Sequence, residues 1–231
     1  MKTLRRLLRI RLAQLIGLIG LIGLIGLVQA APVTPALQTE LDRAVLAYSS
    51  GRLAQARTAF ESLARRGVPA AQYDLAVMHL RGEVPRPDLN RARRWLVQAA
   101  ESGFVTAQFT LGQGLENGDF GRRDLKAAHD WYERAALAGS VDAQVAMGTA
   151  HYLGRGRAKD APMAAQWYRE AAKRGDVGAM YLLAAMFEKG DGVELDLRLA
   201  YYWFDLAARG GDEAAPAKMI EIEARLAGRP N

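Results

Sequence analysis

Apolar residues recur along this chain with helical rather than strand spacing. Ala92, Trp95, Leu96, Ala99 and Ala100 fall at i, i+3, i+4, i+7 and i+8, the stripe of a helix with one buried face. The stripe returns as Ala128, Trp131, Tyr132, Ala135 and Ala136, then as Ala164, Trp167, Tyr168, Ala171 and Ala172. A fourth copy holds Ala200, Trp203, Phe204, Ala207 and Ala208. A second stripe precedes each of these. It reads Ala71, Leu75, His79; Ala107, Leu111, Leu115; Ala143, Met147, His151; and Ala179, Leu183, Phe187. The step between copies is 36 residues, and it is kept by all four tryptophans, by Asp88, Asp124, Asp160 and Asp196, and by glycine columns starting at Gly67 and Gly82. Several independent columns sharing one period establish an internal repeat.

Each unit is predicted as two helices. The aspartate upstream of the tryptophan stripe is placed to accept the free amides of the first turn, and the glycine after the stripe is placed to end the helix in the left-handed region. Beside the central apolar residue of each first helix sits a small one: Ala76, Gly112, Gly148 and Ala184. A mid-helix glycine costs about 1 kcal/mol against alanine, so two of them at one phase predict a close helix–helix approach. Such a pair cannot bury its apolar face alone, and stacked neighbours must share one core.

The ends differ from the middle. Residues 37–68 form a shorter unit with Tyr48, Gly51, Ala56 and Phe60, preceded by a linker over 31–36, and 212–231 are predicted as a capping helix in which Met219 continues the Leu75 column. The four central units, 69–211, from AAQYDLAVMHLRG…DLNRARRWLVQAAESG to GAMYLLAAMFEKGDGVELDLRLAYYWFDLAARGG, resemble the Sel1-like repeat family, 36-residue relatives of tetratricopeptide repeats. The departures are Leu115, where the family prefers an aromatic, and Pro162, which interrupts the start of one second helix. The resemblance implies an all-α fold, a right-handed solenoid of antiparallel helix pairs, with first helices lining a concave groove and second helices forming the back.

A helical wheel supports the same face. Opposite the core stripe of the first helices lie Tyr73, Val77 and Leu80; Phe109, Gln113 and Glu116; Val145, Thr149 and Tyr152; and Tyr181, Ala185 and Glu188. These positions vary between units while the core columns do not, as a reading surface on a fixed frame would. Mixed aromatic and hydrogen-bonding groups suit contact with a protein or peptide partner. The three aromatics Tyr73, Phe109 and Tyr181 have a plainer alternative, packing against the preceding unit.

The first thirty residues read differently. A basic stretch, MKTLRRLLRIR, leads into the 14-residue apolar run Leu15–Val28 and then into Val28-Gln29-Ala30, the small-residue pattern of a signal-peptide cleavage site after Ala30. An uncleaved anchor is the competing reading, but a spanning helix wants about 20 apolar residues. Export to the periplasm or beyond is expected in a bacterial cell. The formal charge of +6 changes meaning here: five of the 31 basic residues lie in this segment with no acid, leaving 26 basic against 25 acidic in the rest. That excludes the concentrated basic surface of a nucleic-acid binder, and it confines any membrane contact to this segment. With no cysteine, disulfides, thiolate metal sites and cysteine nucleophiles are excluded.

Catalytic signatures are lacking: there is no nucleophile elbow, no HExxH and no phosphate loop. His79 and His151 occupy a core-edge slot two units apart, on the order of 20 Å from each other, too far to share a metal. His129 and Glu133 stand at i, i+4, and a solvated pair explains them better than a two-ligand site. No metal, cofactor or catalytic residue is expected. The resemblance implies a non-enzymatic adaptor or regulator of an envelope or signalling complex. The alternative is a cell-wall-directed enzyme or glycan-binding envelope protein.

Overall fold

The computed structural model describes residues 34–228. These form eleven helices and no strand: α1 (Pro35–Ser49), α2 (Leu53–Arg65), α3 (Pro69–Leu80), α4 (Leu89–Glu101), α5 (Val105–Asn117), α6 (Leu125–Leu137), α7 (Val141–Leu153), α8 (Ala161–Lys173), α9 (Val177–Lys189), α10 (Leu197–Arg209) and α11 (Ala215–Ala227). The leader over 1–30 lies outside the described residues. Each helix packs mainly on its neighbours in sequence, the one-dimensional contact pattern of a solenoid. No helix among the described residues is long and apolar enough to cross a membrane.

The predicted caps are present. Asp88, Asp124, Asp160 and Asp196 each accept a backbone amide two or three residues on, at 2.9–3.0 Å, and so start α4, α6, α8 and α10. The glycines after these helices, Gly103, Gly139, Gly175 and Gly211, have φ between 84° and 98°, a region closed to most side chains. Two expectations shift. Pro162 does not interrupt α8; it sits in the first turn, where its missing amide donor would have had no helical partner. α1 starts at Pro35 with Thr34 as its cap, so the expected linker gives two residues to the helix.

The core runs along the stack. Ala, Leu, Met, Phe and Tyr from the two stripes are buried in successive clusters, with Trp95 packed against both the first and the second. The close approach predicted from Gly112 and Gly148 is real. A Cβ on Gly112 would stand 2.6 Å from the Tyr132 ring, and one on Gly148 would stand 2.7 Å from Tyr168. The units with Leu96 and Phe204 in that column carry Ala76 and Ala184 at this position.

One buried column is polar. Gln72, Gln108 and Gln144 are 3–7% exposed, and the Nε2 of each donates to a carbonyl eight residues back, Ala64 O, Ala100 O and Ala136 O, at 3.0–3.2 Å. Each glutamine therefore ties a first helix to the C-terminal end of the preceding second helix. In α11 the expected Met219 is only partly buried. Ala215 and Ile222 are fully buried there, and Ile222 extends the column Met78, Gly114, Ala150, Met186.

Candidate functional site

The twelve face residues divide into framework and surface. Tyr73 packs on Phe104 with ring centroids 5.5 Å apart, Phe109 on Tyr132 at 5.5 Å, and Tyr181 edge-on to Phe204 at 5.1 Å. These contacts reach forward, to the following helix or the turn after it, not back to the preceding unit. The three rings are half-buried, as are Val77, Leu80, Glu116, Val145, Thr149, Tyr152 and Ala185; Gln113 is exposed.

Two polar members hold the frame. Glu116 accepts the Tyr132 hydroxyl at 2.8 Å and meets Arg155 at 3.1 Å, while Thr149 shares a 3.1 Å hydrogen bond with the Tyr168 hydroxyl. Burial pushes both phenols well above the usual range. Glu188 departs from the solvent-facing role the wheel gave it. It is 8% exposed because α11 closes over it, bringing Lys218 Nζ to 3.5 Å and Arg225 to 3.1 Å from Oε1. Its other oxygen, Oε2, is buried with no hydrogen-bond partner.

Four of the twelve residues meet in one place. Tyr152, Tyr181, Ala185 and Glu188 line a cavity of about 250 Å³ with Tyr168, Leu182 and Lys218. Leu182 is 37% exposed at its edge. Tyr152 carries the Lys159 ammonium 5.6 Å from its ring centroid, and its bond to Asp191 raises its phenol. The faces of α3 and α5 contribute nothing to this cavity.

The expected solvated pair His129–Glu133 is not one. His129 is 2% exposed, its Nδ1 lacks a partner, and Glu133 instead meets Arg157 at 3.3 Å. The turn at Gly156 is what covers His129: a Cβ added there would stand 2.9 Å from His129 Cε1. His151, on α7, also has a buried, unpartnered Nδ1 and lines the same open cavity of about 340 Å³ as His129 and Arg157. Burial, then Arg157, holds both imidazoles below their usual range. Sequence spacing missed this meeting because it joins the second helix of one unit to the first helix of the next. Among the described residues, no three His, Asp or Glu side chains gather as a metal site.

Comparisons with known proteins agree with this architecture. The chain is similar to c5321, a protective antigen of uropathogenic Escherichia coli with an SLR fold, at 31% identity and a TM-score of 0.77, over 84% of this chain and 43% of that one. It is also similar to a Sel1 repeat protein from Oxalobacter formigenes, at 32% identity and a TM-score of 0.68, over 73% of this chain and 49% of that one. The chain thus spans less than half the length of either. No curated protein matches its sequence. The Sel1 repeat pattern itself matches residues 69–104, 105–140, 141–176 and 177–212, more than half of the sequence. With that coverage, the chain belongs to the Sel1 repeat family, helical scaffolds that typically act through protein–protein contact.

Proposed function

We propose that this protein is an exported scaffold that holds a segment of a protein or peptide partner against its first-helix face, as an adaptor or regulator of an envelope or signalling complex. The observation that carries this reading is the tyrosine-lined cavity beside α11. Tyr152, Tyr181 and the edge of Leu182 offer the apolar and aromatic contact on which binding hot spots are built. The basic and apolar leader with its small-residue site supports export. The family supports a non-catalytic role.

Two experiments test the proposal. N-terminal sequencing of protein recovered from cells is expected to start at Ala31, and an intact leader overturns cleavage. A photo-crosslinking residue is placed at Gln113 or Leu182 in living cells, with Asp130 on a second helix as control. Discrete protein bands from 113 and 182, and none from 130, are expected. Equal capture at 130, or no protein at either face position, overturns the partner reading.

A further inference from the structure

A separate cavity of about 310 Å³ lies on another part of the molecule, between α2, α3 and α4. Its wall carries Arg65 from α2, His79 from α3, and Arg91, Arg94 and Trp95 from α4; its one acid is Glu61. That acid is already taken: Arg57 lies 2.8 Å from it and Arg65 3.8 Å. Asp88, close by in the chain, accepts the Arg91 amide at 3.0 Å as the cap of α4. Among the described residues Arg91 and Arg94 make no ion pair within 4.0 Å.

His79 adds a donor at the floor. It is 4% exposed, and its Nδ1 accepts the Asp88 amide at 3.2 Å, which fixes the ring proton on Nε2. Burial and Arg91 hold the ring below its usual range, so at neutral pH it offers a hydrogen-bond donor without a charge. The repeat frame does not demand these arginines. The phase of Arg91 holds Ala127, Met163 and Leu199 in later units, and that of Arg94 holds Asp130, Gln166 and Tyr202.

We infer that this cavity is a binding site for a small organic oxyanion, a phosphate or carboxylate carried on a flat ring, with Arg91 and Arg94 taking the oxyanion and Trp95 taking the ring. Guanidinium forks match such oxygens in paired, charge-assisted hydrogen bonds. Trp95 is half-buried and lines the cavity. A cavity of this volume is at the lower end of small-ligand sites. The site is built from α2, α4 and the Leu75–His79 side of α3, and it shares no residue with the partner face proposed above.

The test follows the indole signal of Trp95, assigned with Trp95→Phe, while the purified full chain is titrated with phenyl phosphate, benzoate, phenol and a short polyglutamate peptide. Phenyl phosphate or benzoate is expected to shift that signal saturably and leave the other three indoles in place. Arg91→Gln and Arg94→Gln should each weaken the effect about tenfold or more, as loss of a charge-assisted bond requires. Both positions are exposed, so the folded spectrum is expected to persist. Three results overturn the inference: no saturable shift with either anion; binding that both variants leave unchanged; or phenol binding as well as its phosphate. Saturation by polyglutamate alone also overturns it, and makes the cavity a docking point for an acidic chain.

Discussion

Replacing Gly148 by alanine isolates the fit between paired helices. An added Cβ would stand 2.7 Å from two atoms of the Tyr168 ring and 3.1 Å from a third. That ring has little room to yield: Tyr168 is 3% exposed and its hydroxyl is held 3.1 Å from Thr149 Oγ1. Overpacking of this kind costs about 1–3 kcal/mol, and alanine's better helix propensity returns about 1 kcal/mol. Net destabilisation of about 1 kcal/mol is expected, or about 2–4 °C in Tm for a chain of this size. Gly148→Leu should cost more. In a Tyr168→Leu background the clash disappears, and the alanine should stabilise, as the unit with Ala76 and Leu96 already illustrates. The assay is urea unfolding of the four members of this double-mutant cycle, with a coupling energy of about 1–3 kcal/mol expected. Gly148→Ala that stabilises with Tyr168 present, or coupling below about 0.5 kcal/mol, refutes the reasoning.

Other residues give sharper single tests. Asp196 accepts two amides, from Arg198 at 2.9 Å and Leu199 at 3.0 Å, so Asp196→Ala should cost about 1 kcal/mol in urea unfolding and Asp196→Asn much less. Gln144→Met should be neutral or stabilising by the same assay. The carbonyl it leaves, Ala136 O, still accepts the Gly139 amide at 3.0 Å, the unpartnered Oε1 is removed, and the fourth unit already has Met180 there. Burial pushes the Asp74 carboxyl up to about 6. The unfolded chain loses that proton near pH 4 and the folded chain only near 6, so the native state weakens across this interval as pH rises. Asp74→Asn should therefore stabilise above pH 6 and make no difference below about pH 4, read from Tm against pH. His129 and His151 act in the opposite sense: the unfolded imidazoles take up protons that the folded ones refuse, so stability is lost as pH falls below about 6.5. His129→Gln should flatten that loss.

The repeat frame was readable because its columns keep one residue type at one step. The Asp88 caps, the Gly103 turns and the close helix approach at Gly148 all followed from that constancy. Constancy alone did not show which polar columns are buried, and columns that break it were not readable. Gln72, Gln108 and Gln144 are polar, and their burial is possible only because each Nε2 meets a carbonyl of the preceding unit. The column from Met78 to Ile222 is buried throughout but mixes methionine, glycine, alanine and isoleucine, so no pattern marked it. The candidate face was legible as a set of variable positions. That Glu188 is enclosed by Lys218 and Arg225 was not, because those partners come from the terminal helix, which lies outside the repeat.

The most direct measurement of the central claim is hydrogen–deuterium exchange of the protein alone and with the partner captured by crosslinking. Protection is expected along α7 and α9, around Tyr152, Tyr181 and Leu182, with the exchange of α4 and α6 unchanged. Protection confined to those second helices, with α7 and α9 unaffected, would contradict a partner site on the first-helix face.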